Sequence, residues 1–410
     1  MSNAVITFLV FLVAMAVSAL VYPVALGYAK RHNIVDNPNA RKLQRVPVPV
    51  FGGVVVYSGI LAGGLVLSAF MWNWVMVNGI IGMTIMLLIG VWDDRKDISA
   101  LLRLFVEIAL VSGFIALTGV YIDDFHGLWG INAVDDWIAI PLSVLGGVSI
   151  INAVNLIDGV DGYSSGYGMM ACTLFGLCYW TVWSPTMTCM TIIVIGALLP
   201  FFMHNVFGLK SKMFIGDGGT LMLGMFMTVC TFYALSSTQP CDKLDEQGLS
   251  LMAYVAAVLC IPFFDTLRVF TMRILRGKSP FRPDKTHLHH LFIDMGFSHL
   301  GAALSILLLN LCVVLIWAAS WKLGASVDVQ AYIVIALGLL VTFGFYKFMK
   351  VQQNSGPVDE EDYPQGTAIW HWFCHLGYLS HREKGRVWRW LRWLMDSRFI
   401  NHFYGTIFRN

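Results

Sequence analysis

Long apolar runs separated by short polar segments recur along the chain as far as residue 350. A helix rises about 1.5 Å per residue, so roughly 20 apolar residues cross the hydrocarbon layer of a bilayer. Runs of that kind predict eleven transmembrane helices, at 4–28, 51–71, 77–92, 101–121, 137–154, 165–183, 187–204, 219–237, 250–271, 301–320 and 329–348. The expected fold class is an all-α polytopic membrane protein, with one transmembrane domain over 1–350. Residues 351–366, VQQNSGPVDEEDYPQG, read as a flexible acidic linker. Residues 367–410 interleave Trp370, Trp372, Trp388, Trp390 and Trp393 with Arg382, Arg386, Arg389 and Arg392. That pattern suits an amphipathic tail lying in the membrane interface, or a helix that binds a partner.

The polar segments divide by sign. Odd-numbered connections carry the bases: Lys30, Arg31, Arg41, Lys42 and Arg45; then Arg95, Lys96 and Arg103; then Lys210 and Lys212; then Arg273, Arg276, Lys278, Arg282 and Lys285. Even-numbered connections hold few, and Asp123, Asp124, Asp135 and Asp136 dominate the fourth. Because cytoplasmic loops collect Lys and Arg, the N-terminus is expected outside and the C-terminus in the cytosol. No basic residue precedes Lys30 and no small-residue cleavage site stands out, so the first span is expected to be retained.

Composition agrees with a lipid setting: 57% hydrophobic, 13% charged, mean hydropathy +0.68. A net charge of +2 leaves no overall basic field for nucleic acid. Cys172, Cys178, Cys189, Cys230, Cys260 and Cys312 sit inside apolar runs without a CxxC pair, and read as small buried hydrophobes.

The dense polar clusters all fall in odd connections. VWDDRKDIS sets Asp93 and Asp97 one helical turn apart with Asp94 adjacent. Clustered carboxylates repel unless a cation joins them, and magnesium suits such a set, since it prefers oxygen and is completed by water and substrate phosphates. NAVNLIDGVDG places Asn152, Asn155, Asp158 and Asp161 at every third residue, which on a helix or tight helical turn gathers them onto roughly one face. KSKMFIGDGGTLMLG puts Asp217 among glycines directly before a span, where free helix N–H groups can meet an anion. SPFRPDKTHLHHLF crowds His287, His289 and His290 beside Arg282 and Lys285; without a nearby cysteine, it suits phosphate better than zinc. Arg41, Lys42 and Arg45 lead into VPVPVFGG, another anion-facing element, and Asp265 is an intramembrane acid that faces the site or pairs with Arg268. Taken singly, each cluster also fits a capping turn or a solvated loop. Together they supply carboxylates for a divalent cation and bases for phosphates, the parts of phosphoryl transfer.

In order, spacing and sidedness, DDxxD at 93–97, NxxNxxDGxDG at 152–162, GDxG around Asp217 and HLHH at 287–290 resemble the polyprenyl-phosphate N-acetylhexosamine-1-phosphate transferase family, of glycosyltransferase family 4 type. The resemblance covers about residues 1–350. PDKTHLHH is more similar to the branch that uses UDP-N-acetylglucosamine than to the branch that transfers phospho-MurNAc-pentapeptide, whose loop carries three consecutive histidines. It implies transfer of GlcNAc-1-phosphate from UDP-GlcNAc to undecaprenyl phosphate, releasing UMP, at the cytosolic face of a bacterial inner membrane. It implies magnesium, or manganese in its place, with Asp217, Asp93 and Asp94 as ligands. Asp93, Asp94, Asp158, Asp161 and Asp217 become the catalytic set. Asn152, Asn155, Arg45, Asn205, Arg282, His287, His289, His290 and Asp97 become substrate-binding residues, the match of Arg45 being loose. The partners expected are a UDP-sugar, polyprenyl phosphate and membrane lipid, and no nucleic acid; a homodimer is allowed. The rivals are the same chemistry with another UDP-sugar, a transporter, whose polar groups would sit near the bilayer midplane, and a membrane scaffold.

Overall fold

A computed structural model describes residues 2–37, 46–96, 98–279, 286–354, 367–381 and 386–396. Each of the eleven apolar runs lies on helix. In chain order the helices are α1 (Asn3–Arg31), α2 (Gly52–Ser68), α3 (Trp74–Lys96), α4 (Ala100–Thr118), α5 (Asp136–Leu156), α6 (Tyr163–Thr181), α7 (Pro185–Phe207) and α8 (Gly216–Leu235). They continue as α9 (Leu251–Val258), α10 (Cys260–Leu275), α11 (Leu288–Asp294), α12 (His299–Lys322), α13 (Val327–Leu339) and α14 (Tyr346–Asn354), the last two joined through a π-helical turn. By length and composition, eight of the described helices can cross a membrane, or nine if α9 and α10 are one span; α2 is shorter. The surface is apolar where a soluble protein's would be polar: Phe8, Leu65, Leu88, Phe105, Leu145 and Leu177 are exposed, as lipid-facing side chains are. The chain is an all-α, polytopic membrane protein.

The ninth run is not one continuous helix. It bends by 73° between α9 and α10. Pro262 lacks the N–H that would continue the ladder, and Asn310 of α12 inserts at the break. Its amide donates to the carbonyls of Ala257 and Val258 at 3.2 Å and accepts from the N–H of Ile261 at 2.9 Å. Backbone groups freed inside an apolar bundle thereby keep partners.

At the centre stands α8, whose spanning segment is wholly buried. Glycines let its neighbours approach backbone to backbone. A Cβ on Gly90 of α3 would collide with the N and Cα of Gly218, and one on Gly53 of α2 would lie 2.5 Å from the N of Gly219. On the other side, a Cβ on Gly224 would lie 2.7 Å from Cα of Ile151 in α5. Three helices are thus registered against α8, two of them at its start.

The odd connections meet at one end of the bundle. β1 (Val35–Asp36) pairs antiparallel with β2 (Val48–Pro49), and Val50 continues as a bridge to Phe214, so the first connection is stitched to the seventh. At the opposite end the even connections meet, through Asp123 with Ser237 and His126 with Asp245. Trp72, Trp74, Trp137 and Trp183 are exposed around that end, as in an aromatic belt.

Beyond the bundle the chain forms α15 (Ala368–His381) and α16 (Arg386–Asp396). Helix α14 runs to Asn354, four residues into the segment read as linker; residues 355–366 lie outside the described residues. Trp370 is fully buried, so α15 packs on the bundle.

Candidate active site

The first turn of α8 carries Asp217. Gly216 before it has φ +72°, and a Cβ there would meet Asp94 Oδ2 at 2.5 Å, so only glycine fits the turn. Asp94, on the last turn of α3, accepts hydrogen bonds from the N–H of Asp217 at 3.0 Å and of Gly218 at 3.4 Å. The helix-start N–H groups expected to face a substrate anion are therefore engaged by Asp94. Asn155, at the end of α5, donates to Asp217 Oδ1 at 2.9 Å and to Thr220 Oγ1 at 2.8 Å. Asp94, Asn155, Asp158 and Asp217 line a cavity of about 820 Å³, whose further wall comes from residues 32–37 of the first connection.

The four polar residues of NAVNLIDGVDG do not share one face. Helix α5 ends at Leu156, and the turn beyond it sends the side chains apart. Asn152 donates to Glu107 of α4; Asn155 meets Asp217; Asp158 faces the cavity and accepts from Ser164 Oγ at 2.9 Å. Asp161 accepts from Lys212 Nζ at 2.5 Å and pairs with His299 Nδ1 at 2.9 Å. Gly162, at φ +79°, then turns the chain into α6, and its N–H donates to Asn205 Oδ1 at 2.7 Å. Asn205 is buried and also donates to the carbonyl of Met213 at 3.0 Å, so its amide ties the fifth connection to the seventh.

Asp93 and Asp94 differ in surroundings although adjacent. Asp93 accepts from the N–H of Ile98 at 2.9 Å and from Arg103 at 3.3 Å. Arg103 also pairs with the buried Glu107 at 3.5 Å, which completes a polar chain from α3 through α4 to Asn152. Only Asp94 of the two borders the cavity.

The histidine cluster stands at the start of α11. His287 Nδ1 lies 2.9 Å from Asp265 Oδ2, and Asp265 also accepts from Arg268 at 2.6 Å and from the N–H of Leu288 at 3.1 Å. Asp265 is thus an anchor of this segment. His289 is buried against Gly159, where a Cβ would strike its ring, so the DGVDG turn and the histidines are in contact. Burial, and then the neighbouring His290 and His287, hold His289 well below the usual histidine pKa, so it stays neutral near pH 7.

Electrostatics separate the two aspartates of the turn. Asp158 is exposed to the cavity, yet protein atoms crowd around its carboxyl. This desolvation, with Asp217 and Asp161 nearby, pushes its carboxyl up to about 7, against the opposing bond from Ser164. Asp161 is likewise desolvated, but its bonds and charge pairing with His299 and Lys212 outweigh that and hold it below the usual carboxylate range. Among the described residues neither Asp158 nor Asp217 has a basic partner. Nor do three His, Cys, Asp or Glu side chains converge closely enough to cage a metal unaided. A carboxylate set of this kind fits magnesium, a hard cation that takes one or two carboxylates and leaves its other positions to water and phosphate.

Arg45, Asp97 and Arg282 lie outside the described residues. Lys212, His299, Glu107 and Arg103 were not singled out as site residues in the sequence, yet they bond directly to those that were. Glu107 left a legible signal, as a lone acid in an apolar run one turn from Arg103, and Lys212 stood among the bases of the seventh connection; His299 left none.

Residues 74–235 match the family model described as glycosyl transferase family 4, a segment that holds Asp93, Asp94, the NAVNLIDGVDG turn and Asp217. The chain is similar to a probable undecaprenyl-phosphate N-acetylglucosaminyl 1-phosphate transferase of Bacillus subtilis, 26% identical over 359 residues, covering 86% of this chain and 93% of that protein. It is also similar to the undecaprenyl-phosphate alpha-N-acetylglucosaminyl 1-phosphate transferase of Escherichia coli K12, at 26% over 77% of this chain and 83% of that protein. A third relative, the decaprenyl-phosphate N-acetylglucosaminephosphotransferase of Mycobacterium leprae, is 28% identical over 68% of this chain and 75% of its own length. Asp94, Asp158 and Asp217 of these motifs border one cavity, and the likeness to these relatives spans most of the chain, with the match to glycosyl transferase family 4 lying over residues 74–235.

Proposed function

We propose that the chain transfers GlcNAc-1-phosphate from UDP-GlcNAc to undecaprenyl phosphate, giving undecaprenyl-diphospho-GlcNAc and UMP. One observation carries the reading: Asp94, Asp158 and Asp217, from three separate segments, border one cavity at the end of the bundle where the basic connections lie. The names of the relatives support GlcNAc-1-phosphate and a polyprenyl phosphate as the transferred group and acceptor. With eleven crossings and the odd connections in the cytosol, as the charge pattern favours, the cavity opens where nucleotide sugars are dissolved.

In this reading the lipid phosphate, largely dianionic near pH 7 because its second pKa is about 6, attacks the β-phosphorus in line. A bond forms from its oxygen to that phosphorus, the bond from the β-phosphorus to the bridging oxygen breaks, and UMP leaves with the electron pair. No strong base is needed. Asp217 and Asp94 would hold magnesium with the help of Asp158, while Asp93 keeps Arg103 in place. The ion, when bound, offsets charge on the diphosphate oxygens. Asn155 orients Asp217 through its amide. His289 stands against the same turn from the ninth connection, and with His287 and His290 it would donate to the diphosphate. Release of UMP by purified protein, with magnesium and polyprenyl phosphate, across a panel of UDP-sugars tests the proposal. No release from any sugar would reject it; preference for UDP-GalNAc or UDP-MurNAc-pentapeptide would move the donor and keep the chemistry.

A further inference from the structure

Asp161 is held by two bases, Lys212 and His299. Lys212 stands on a short connecting segment and His299 opens α12, and a different helix of the C-terminal tail grips the chain beside each. On one side, the carboxylate of Asp396, the last residue of α16, accepts from three successive backbone N–H groups: Leu209 at 3.0 Å, Lys210 at 3.0 Å and Ser211 at 3.3 Å. It also accepts from Ser211 Oγ at 3.3 Å. Consecutive amides around one anion form a nest, and bonds to a charged acceptor are about twice as strong as neutral ones. Lys212 is the next residue. Trp388 of α16 packs its ring on Phe207 at 4.9 Å, on the other side of the same turn.

On the second side, Ser380 of α15 accepts from the N–H of Ser298 at 2.8 Å, and its own carbonyl accepts from Ser298 Oγ at 3.3 Å. Ser298 caps α12, whose first residue is His299. The approach is close enough to demand glycines: a Cβ on Gly301 would lie 2.8 Å from Ser380 Oγ, and one on Gly377 would strike the carbonyl of Met295. A tail that only rested on the membrane would need neither contact.

We propose that α15 and α16 form a two-point brace that positions the basic partners of Asp161, with Ser380 and Asp396 as its positioning residues. The tail is then part of the site's scaffold. For its activity arm this inference rests on the transferase reading above.

The test uses full-length protein and two readouts, amide hydrogen exchange and UMP release. Asp396→Asn should speed exchange at residues 209–211 by about tenfold, the factor expected when one charge-assisted bond is lost. It should lower kcat by roughly tenfold, less than the ~100-fold that a 1 Å misplacement of a reacting group can cost. Asp396→Glu, which keeps the carboxylate, should recover part of both. In a Lys212→Ala background Asp396→Asn should add little, because coupled residues are not additive. If the wild type is active while Asp396→Asn leaves exchange and turnover unchanged, or adds its full loss to that of Lys212→Ala, the brace is overturned and the transferase reading stands. If the wild type releases no UMP, the transferase reading falls, and exchange at 209–211 still decides the brace.

Discussion

Asp94 accepts the backbone N–H of Asp217 at 3.0 Å, so a side chain at the end of α3 caps the start of α8 and brings two carboxylates to one cavity. Like charges held this close favour a bound cation. The bond also makes Asp94 a structural and a chemical residue at once, which sets it apart from its neighbour Asp93.

Asp94→Asn and Asp217→Asn should each lower UMP release by at least about 10²-fold, the scale of one lost electrostatic or acid–base contribution. Asp93→Asn should cost less turnover and more stability, because it leaves Arg103 without its 3.3 Å partner. Equal losses for Asp93→Asn and Asp94→Asn would show that the cavity-facing position carries no special weight.

Removal of divalent metal by a chelator should abolish UMP release, with magnesium or manganese restoring it. The same addition should do nothing for Asp217→Asn. Full activity in the chelator would remove the metal from the reaction.

Asp158 ionises at about 7 in the folded chain against an ordinary 3.8. Between those values the folded chain holds more proton than the unfolded one. The stabilisation from this group is therefore present at low pH and is lost as pH rises toward 7. A cation that draws on the ionised carboxylate must displace the proton, so magnesium should raise Tm more at about pH 8 than at about pH 6. Asp158→Asn should flatten that difference. An equal magnesium shift in the wild type at both values would place Asp158 outside the ion's reach.

Gly90→Ala pushes a methyl into the backbone of Gly218, which cannot yield, whereas Gly113→Ala in α4 meets nothing within 4 Å. The first should destabilise by about 1–3 kcal/mol, the usual cost of overpacking; the second should be tolerated. Thermal unfolding in detergent compares them directly, and similar Tm values would mean that α3 and α8 are not in backbone contact.

A phosphorylated enzyme should not accumulate when labelled UDP-GlcNAc is supplied without lipid. Trapping one on an aspartate would replace direct displacement by a covalent route.

Apolar run length and the alternation of bases determined the helical class, the placing of the long apolar runs on helix and the gathering of the odd connections, because lipid forces every backbone group into helix and bases mark loops. Motif spacing was enough to nominate Asp94, Asp158 and Asp217, since carboxylates beside apolar runs are too costly to be incidental. Spacing did not tell where each side chain would point. Only the packed bundle decided that Asn152 meets Glu107, that Asp161 meets Lys212 and His299, and that Asp94 takes the N–H groups of α8. Those partners lie 45, 51, 138 and 123 residues away, across helices whose register is set by glycine contacts. The bend at Leu259 was legible only in part: Pro262 marks a missing N–H, but the break also needs Asn310 of a later helix to satisfy the freed groups. Local sequence states which groups are expensive to leave alone; tertiary packing decides which partners answer them.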